Sequence, residues 1–131
     1  MDDLYIRQLV DKIIVASYEV YQLLGNNYKE MIYRSALAYE FNERNIRFDR
    51  LWNGGMLSSD AHSQGTVRFF VEGVLVVEVR AVRKLQKAHT QQLSSYLKTY
   101  QKREGLLVNF GSASLQFERL NDASERSKSG K

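Results

Sequence analysis

Cysteine and proline are both absent from this 131-residue sequence. Without cysteine there is no disulfide and no thiolate zinc site. Without proline, every turn falls to Gly, Asn, Asp or Ser. Histidine is scarce as well: His62 and His89 are too few for a histidine-rich metal site. No apolar run approaches the roughly 20 residues of a membrane-spanning helix. The opening Met1-Asp2-Asp3 carries the wrong charge for a secretory leader. The expectation is a soluble, cytoplasmic protein with no membrane partner.

What is present suits one folded domain. A chain of this length with 44% hydrophobic residues buries a core without covalent staples. Residues 1–120 read as that domain, and the polar, charged stretch 121–131 reads as a disordered tail. The net charge of +4 is unevenly spread. Residues 1–60 hold nine acidic and seven basic side chains, whereas residues 61–131 hold six acidic and twelve basic ones. A basic second half points toward a polyanionic partner.

Hydrophobic spacing gives the elements. Ile6, Leu9, Val10, Ile13, Ile14, Val20, Tyr21 and Leu24 recur every three or four residues, which predicts a helix over 4–24. Gly25-Asn26-Asn27 supplies its stop signal. A second helix is predicted over 28–44, with Met31, Ile32, Leu37, Ala38 and Phe41 as its apolar positions and Asn45 as its end. A strand follows over 46–52, with Ile46, Phe48 and Leu51 inward. Asn53-Gly54-Gly55 marks a turn, and 58–65 a polar connection. Segments 66–71 and 74–79 flank Glu72-Gly73 as a hairpin. Val74–Val77 is apolar on both faces, as in a central strand covered twice. A third helix is predicted over 83–102, ended by Gly105. Strands over 106–110 and 115–120 complete the order α-α-β-β-β-α-β-β. This is an α/β arrangement, a mixed sheet flanked by helices.

Four segments carry a family resemblance. Gly25-Asn26-Asn27-Tyr28-Lys29-Glu30-Met31-Ile32-Tyr33 resembles the segment that names the GxxExxY proteins. Val77-Glu78-Val79-Arg80-Ala81-Val82 resembles their "vElKaV" strand, and His89–Leu97 their "hxxQLxxYL" helix. Gly105-Leu106-Leu107-Val108-Asn109-Phe110-Gly111 resembles their "GLLiNFg" strand. The likeness spans residues 4–119, in order and at compatible spacings. That group is similar to the PD-(D/E)xK nuclease superfamily, which implies a restriction-endonuclease-like core. It also implies a site where carboxylates hold Mg²⁺, the ion activates water against a phosphodiester, and a lysine assists.

Carried over residue by residue, Glu30 matches the helix Glu, Glu78 the E of E-x-K, and Gln92 the helix Gln. Two positions depart from the pattern. Arg80 stands where the lysine belongs, and Arg68 where the strand Asp belongs. A guanidinium cannot ligate a cation and does not lose its charge. The expectation is therefore an internal ion-pair group of Glu30, Glu78 and Arg68 with no metal, and a catalytically impaired site. Glu78 lies in an apolar run, so a partner such as Arg68, Arg80 or a metal is predicted. Tyr33 is read as a packing residue. Arg80, Arg83, Lys84 and Lys87 are candidate phosphate contacts. No stacking platform of interleaved aromatics is evident in that stretch. The leading reading is a binding module for nucleic acid or protein. The alternative is an active nuclease with Mg²⁺ on Glu30 and Glu78, and a third reading is a subunit of a homo-oligomer or larger assembly.

Overall fold

The computed structural model describes residues 3–51 and 67–121. Helix α1 (Asp3–Leu24) and helix α2 (Glu30–Glu43) precede strands β1 (Phe48–Leu51), β2 (Arg68–Val71) and β3 (Leu75–Arg80). Helix α3 (Lys87–Thr99) then leads to β4 (Glu104–Asn109) and β5 (Gln116–Asn121). The turn at 53–55, the polar connection at 58–65 and the tail after Asn121 lie outside the described residues. Asn121 itself, expected in the tail, is the last residue of β5. No described helix is long and apolar enough to cross a membrane.

The five strands lie in sequence order across one sheet. Only β3 and β4 run parallel, with Val77 opposite Leu106 and Glu78 opposite Leu107. A parallel pair needs a crossover, and α3 supplies it. The other neighbours are antiparallel. β3 is the middle strand, and its Leu75, Val76, Val77 and Val79 are all fully buried. Its two faces serve different cores. Leu75, Val77 and Val79 face α1 and α2, together with Phe69, Leu37 and Phe41. Val76 faces Leu93, Tyr96 and Leu97 of α3. This mixed sheet with helices on both faces is the architecture that the resemblance implies.

Four local expectations need correction. Met31 and Ile32 point to solvent, and Tyr33 takes the inward position of that turn. Leu51 packs on the α3 side, opposite Phe48, because three residues along a strand reverse the face. Helix α3 begins at Lys87 rather than Arg83; the His89 Nδ1 accepts a hydrogen bond from the Gln86 N–H at its start (2.9 Å). Gly105 does not end α3. It is a β4 residue on which Leu93 and Leu97 rest, and Gln101 takes the left-handed turn that closes the helix.

Candidate functional site

The site lies where β3 emerges from the sheet on its α3 face. Alternation places Val76, Glu78 and Arg80 on that face. On β2, Arg68 falls one register step beyond the Phe69–Val77 pair, which sets it directly across from Glu78. Glu78 is fully buried and Arg68 is 5% exposed. The Arg68 Nε donates to Glu78 Oε1 at 2.7 Å. The Arg80 Nε donates to Glu78 Oε2 at 2.8 Å, and its Nη2 lies 2.7 Å from the same oxygen. That Nη2 also donates to Gln92 Oε1 on α3, at 2.5 Å. Each carboxylate oxygen of Glu78 thus faces its own guanidinium, which is the arrangement that makes burying the charge tolerable.

Glu30 joins from α2. Its Oε2 lies 3.8 Å from Arg80 Nη1, and its Oε1 accepts from Arg34 Nη1 at 3.2 Å. The expected group of Glu30, Glu78 and Arg68 is therefore corrected in one respect. Arg80, not Arg68, bridges the two glutamates, because Glu30 approaches from the outer end of β3. Arg80 was also expected to contact phosphates, but its guanidinium is engaged by Glu78, Gln92 and Glu30. Arg83 and Lys84 are exposed in the segment before α3, and Lys87 is exposed in its first turn.

The Gly25–Tyr33 segment explains how Glu30 is aimed. Gly25 adopts a positive φ of 73°, a conformation that costs a side-chain-bearing residue about 1 kcal/mol. Its carbonyl accepts the Tyr33 hydroxyl hydrogen bond. Tyr33 is fully buried and stacks on Phe110, with ring centroids 4.6 Å apart. The Asn26 amide and the Tyr21 hydroxyl both donate to the Ser112 carbonyl. The start of α2 is thereby tied to the chain leaving β4, and Glu30 is carried toward β3.

Asn109 was not singled out from the sequence. It is fully buried and completely bonded. Its Oδ1 accepts from the Val82 and Gly111 N–H groups, and its Nδ2 donates to the Val82 carbonyl and Gln116 Oε1. It clamps the segment after Arg80 to β4. The signal was available: a lone amide inside the apolar run Leu106–Phe110 must find partners.

On its other flank Arg68 lies over the Tyr96 ring, 4.2 Å from ring centroid to guanidinium carbon. Burial pushes the Tyr96 phenol above its ordinary value; the Arg68 charge opposes that rise, and Tyr100 adds to it.

A hard divalent cation needs several oxygen ligands with lone pairs turned toward it. Here Glu78 is flanked by the guanidinium groups of Arg68 and Arg80, and Glu30 by those of Arg34 and Arg80. No three Asp, Glu or His side chains converge among the described residues. This donor set does not fit the Mg²⁺ that the resemblance implies.

Comparison with known proteins agrees with this architecture. Residues 7–120 match the model of a family described as the PD-(D/E)XK nuclease superfamily. No curated protein and no solved structure matches the chain.

Proposed function

The chain belongs to the PD-(D/E)XK nuclease superfamily, and from that premise we propose that it is a catalytically impaired member of the GxxExxY group that binds nucleic acid without cutting it. The observation that carries this reading is the double engagement of Glu78, with Arg68 on one oxygen and Arg80 on the other. Arg68 occupies the place of a metal-ligating Asp, and Arg80 that of the motif lysine. The vestigial site then consists of Glu30, Glu78, Arg80 and Gln92, with Arg68 as its internal cation.

Binding is supported by charge. Among the described residues the network joins the guanidinium groups of Arg34, Arg68 and Arg80 to the carboxylates of Glu30 and Glu78. Arg83, Lys84 and Lys87 add exposed cations beside it. Phosphate contacts of this kind give affinity without reading sequence.

Three measurements test the reading. In calorimetric titration with MgCl₂ or MnCl₂ the native protein is expected to show no binding, and Arg68→Asp combined with Arg80→Lys is expected to create a measurable site. Metal-dependent cleavage of DNA or RNA that Glu78→Ala abolishes would overturn it in favour of an active nuclease. Nucleic-acid affinity is expected to fall with salt, and Lys84→Glu with Lys87→Glu to reduce the slope of log K against log salt by about 1 per residue. An affinity that ignores both salt and these two charges would remove nucleic acid as the partner.

A further inference from the structure

A second feature starts from the same buried cluster and runs outward. From Glu78 a column of stacked groups leads to the surface. Arg68 pairs with Glu78, the Tyr96 ring lies under the Arg68 guanidinium, and Tyr100 packs against Tyr96 at 4.7 Å between centroids with a 45° tilt. Exposure rises along the column, from 0% at Glu78 through 6% at Tyr96 to 37% at Tyr100. The i, i+4 spacing of the two tyrosines on α3 puts them on one helix face.

This column floors a groove of about 620 Å³ along α3, within the size range of small-ligand sites. Gln91, Gln92 and Ser95 line it, with Arg68 at its base. No acidic side chain among the described residues lines it. Gln92 is held by its oxygen, through Arg80, so its amide nitrogen is the end left to donate. The lining thus offers amide and hydroxyl groups beside Tyr100. Lys98 is exposed on the same helix, and Lys102 and Arg103 follow its end. An exposed aromatic ring, hydrogen-bonding side chains around it and cations elsewhere on the same surface are what an unpaired nucleotide requires: a ring to stack on, partners for the base edge, and charge for the phosphates.

We propose that this groove takes one unpaired base of a nucleic-acid strand, stacked on Tyr100 as the outer rung of the Glu78–Arg68–Tyr96–Tyr100 column. The assignment rests on the nucleic-acid reading above and sharpens it from any polyanion to a strand with an unstacked base. A continuous duplex keeps its base faces covered and cannot enter. Single-stranded DNA and single-stranded RNA share the required chemistry, and the test separates them.

The experiment is fluorescence anisotropy of the intact chain with labelled 20-nucleotide single-stranded DNA, its RNA equivalent and the corresponding DNA duplex. The native protein is expected to prefer a single strand over duplex by about fivefold or more, the size of one base–aromatic stack. Tyr100→Ala is expected to erase that preference, and Tyr100→Phe to keep it. Tyr100→Trp, which preserves the ring, is expected to show indole quenching on adding a single strand and none on adding duplex. Equal native affinity for strand and duplex, or a preference that survives Tyr100→Ala, overturns the slot while leaving general nucleic-acid binding in place. Failure of all three oligonucleotides to bind at low salt overturns the underlying reading and the slot with it.

Discussion

Glu78→Ala is expected to destabilise the fold by about 3–5 kcal/mol in urea unfolding, the range seen when one partner of a buried ion pair is removed. Glu78 is fully buried, and two guanidinium groups converge on it. Arg80 would retain Gln92 and the more distant Glu30. Arg68, 5% exposed and held against Tyr96, would lose the counter-charge that makes its burial tolerable. A domain of this size has only about 5–15 kcal/mol in total, so the variant should unfold at much lower urea. The paired change Glu78→Leu with Arg68→Met is the informative control. It removes both charges together, and its cost should be well below that of Glu78→Ala, because the desolvation of both ions disappears with them. A loss under about 1 kcal/mol for Glu78→Ala would mean that both guanidinium groups reach water readily, as exposed pairs do.

The second large effect is expected at Gly111. A Cβ built there lies 2.5 Å from the Ala81 carbonyl carbon and the Val82 nitrogen, and 2.6 Å from the Val82 oxygen. All three are backbone atoms, so no side chain can turn aside. The two segments are also pinned to each other. The Phe110 N–H donates to the Arg80 carbonyl at 2.8 Å, and Asn109 Oδ1 accepts from both Val82 and Gly111. Gly111→Ala must therefore part the ends of β3 and β4, at a cost of about 3 kcal/mol. Gly105→Ala is the comparison: its Cβ meets only the ends of Leu97 and Leu93, at 3.0 and 3.2 Å. The urea midpoint of Gly111→Ala should fall clearly below that of Gly105→Ala. Equal midpoints would show that the backbone approach at Gly111 yields as easily as a leucine methyl.

These two sites show what the sequence made legible. The pattern Leu75–Arg80, a carboxylate within β-branched residues, was sufficient to require a cationic partner for Glu78. The family resemblance, which sets Arg68 at the strand Asp position, pointed to Arg68, and the absence of any acid between Asp60 and Glu72 left no other register for that Asp. Register then does the rest, since β2 and β3 are joined by the three-residue turn Glu72-Gly73-Val74, which fixes which side chains face each other. Other features were hidden for physical reasons. Apolar residues surround α2 on every side, so periodicity could not tell that Tyr33 goes inward while Met31 and Ile32 stay out. The end of α3 carries no glycine; Gln101 adopts a φ of 57°, a conformation glycine normally advertises. The start of α3 lacks the usual Ser, Thr, Asp or Asn, so Gln86 and His89 gave no warning of it. Which guanidinium bridges Glu30 to Glu78 depends on the angle at which α2 meets the sheet edge. That angle is set by Tyr33, Gly25 and Ser112, none of them close in sequence to Arg80.

The cross-strand placement of Arg68 has a consequence for when the cluster exists at all. A site that borrows its positive charge from solution is assembled only while the free ion is plentiful, and empties when the ion is withdrawn. Here the counter-ion is bonded to the polypeptide on the strand next to its partner's, and the pairing of β2 with β3 brings the two together. The positive charge facing Glu78 from Arg68 and Arg80 is therefore inherited with the chain and renewed at every synthesis.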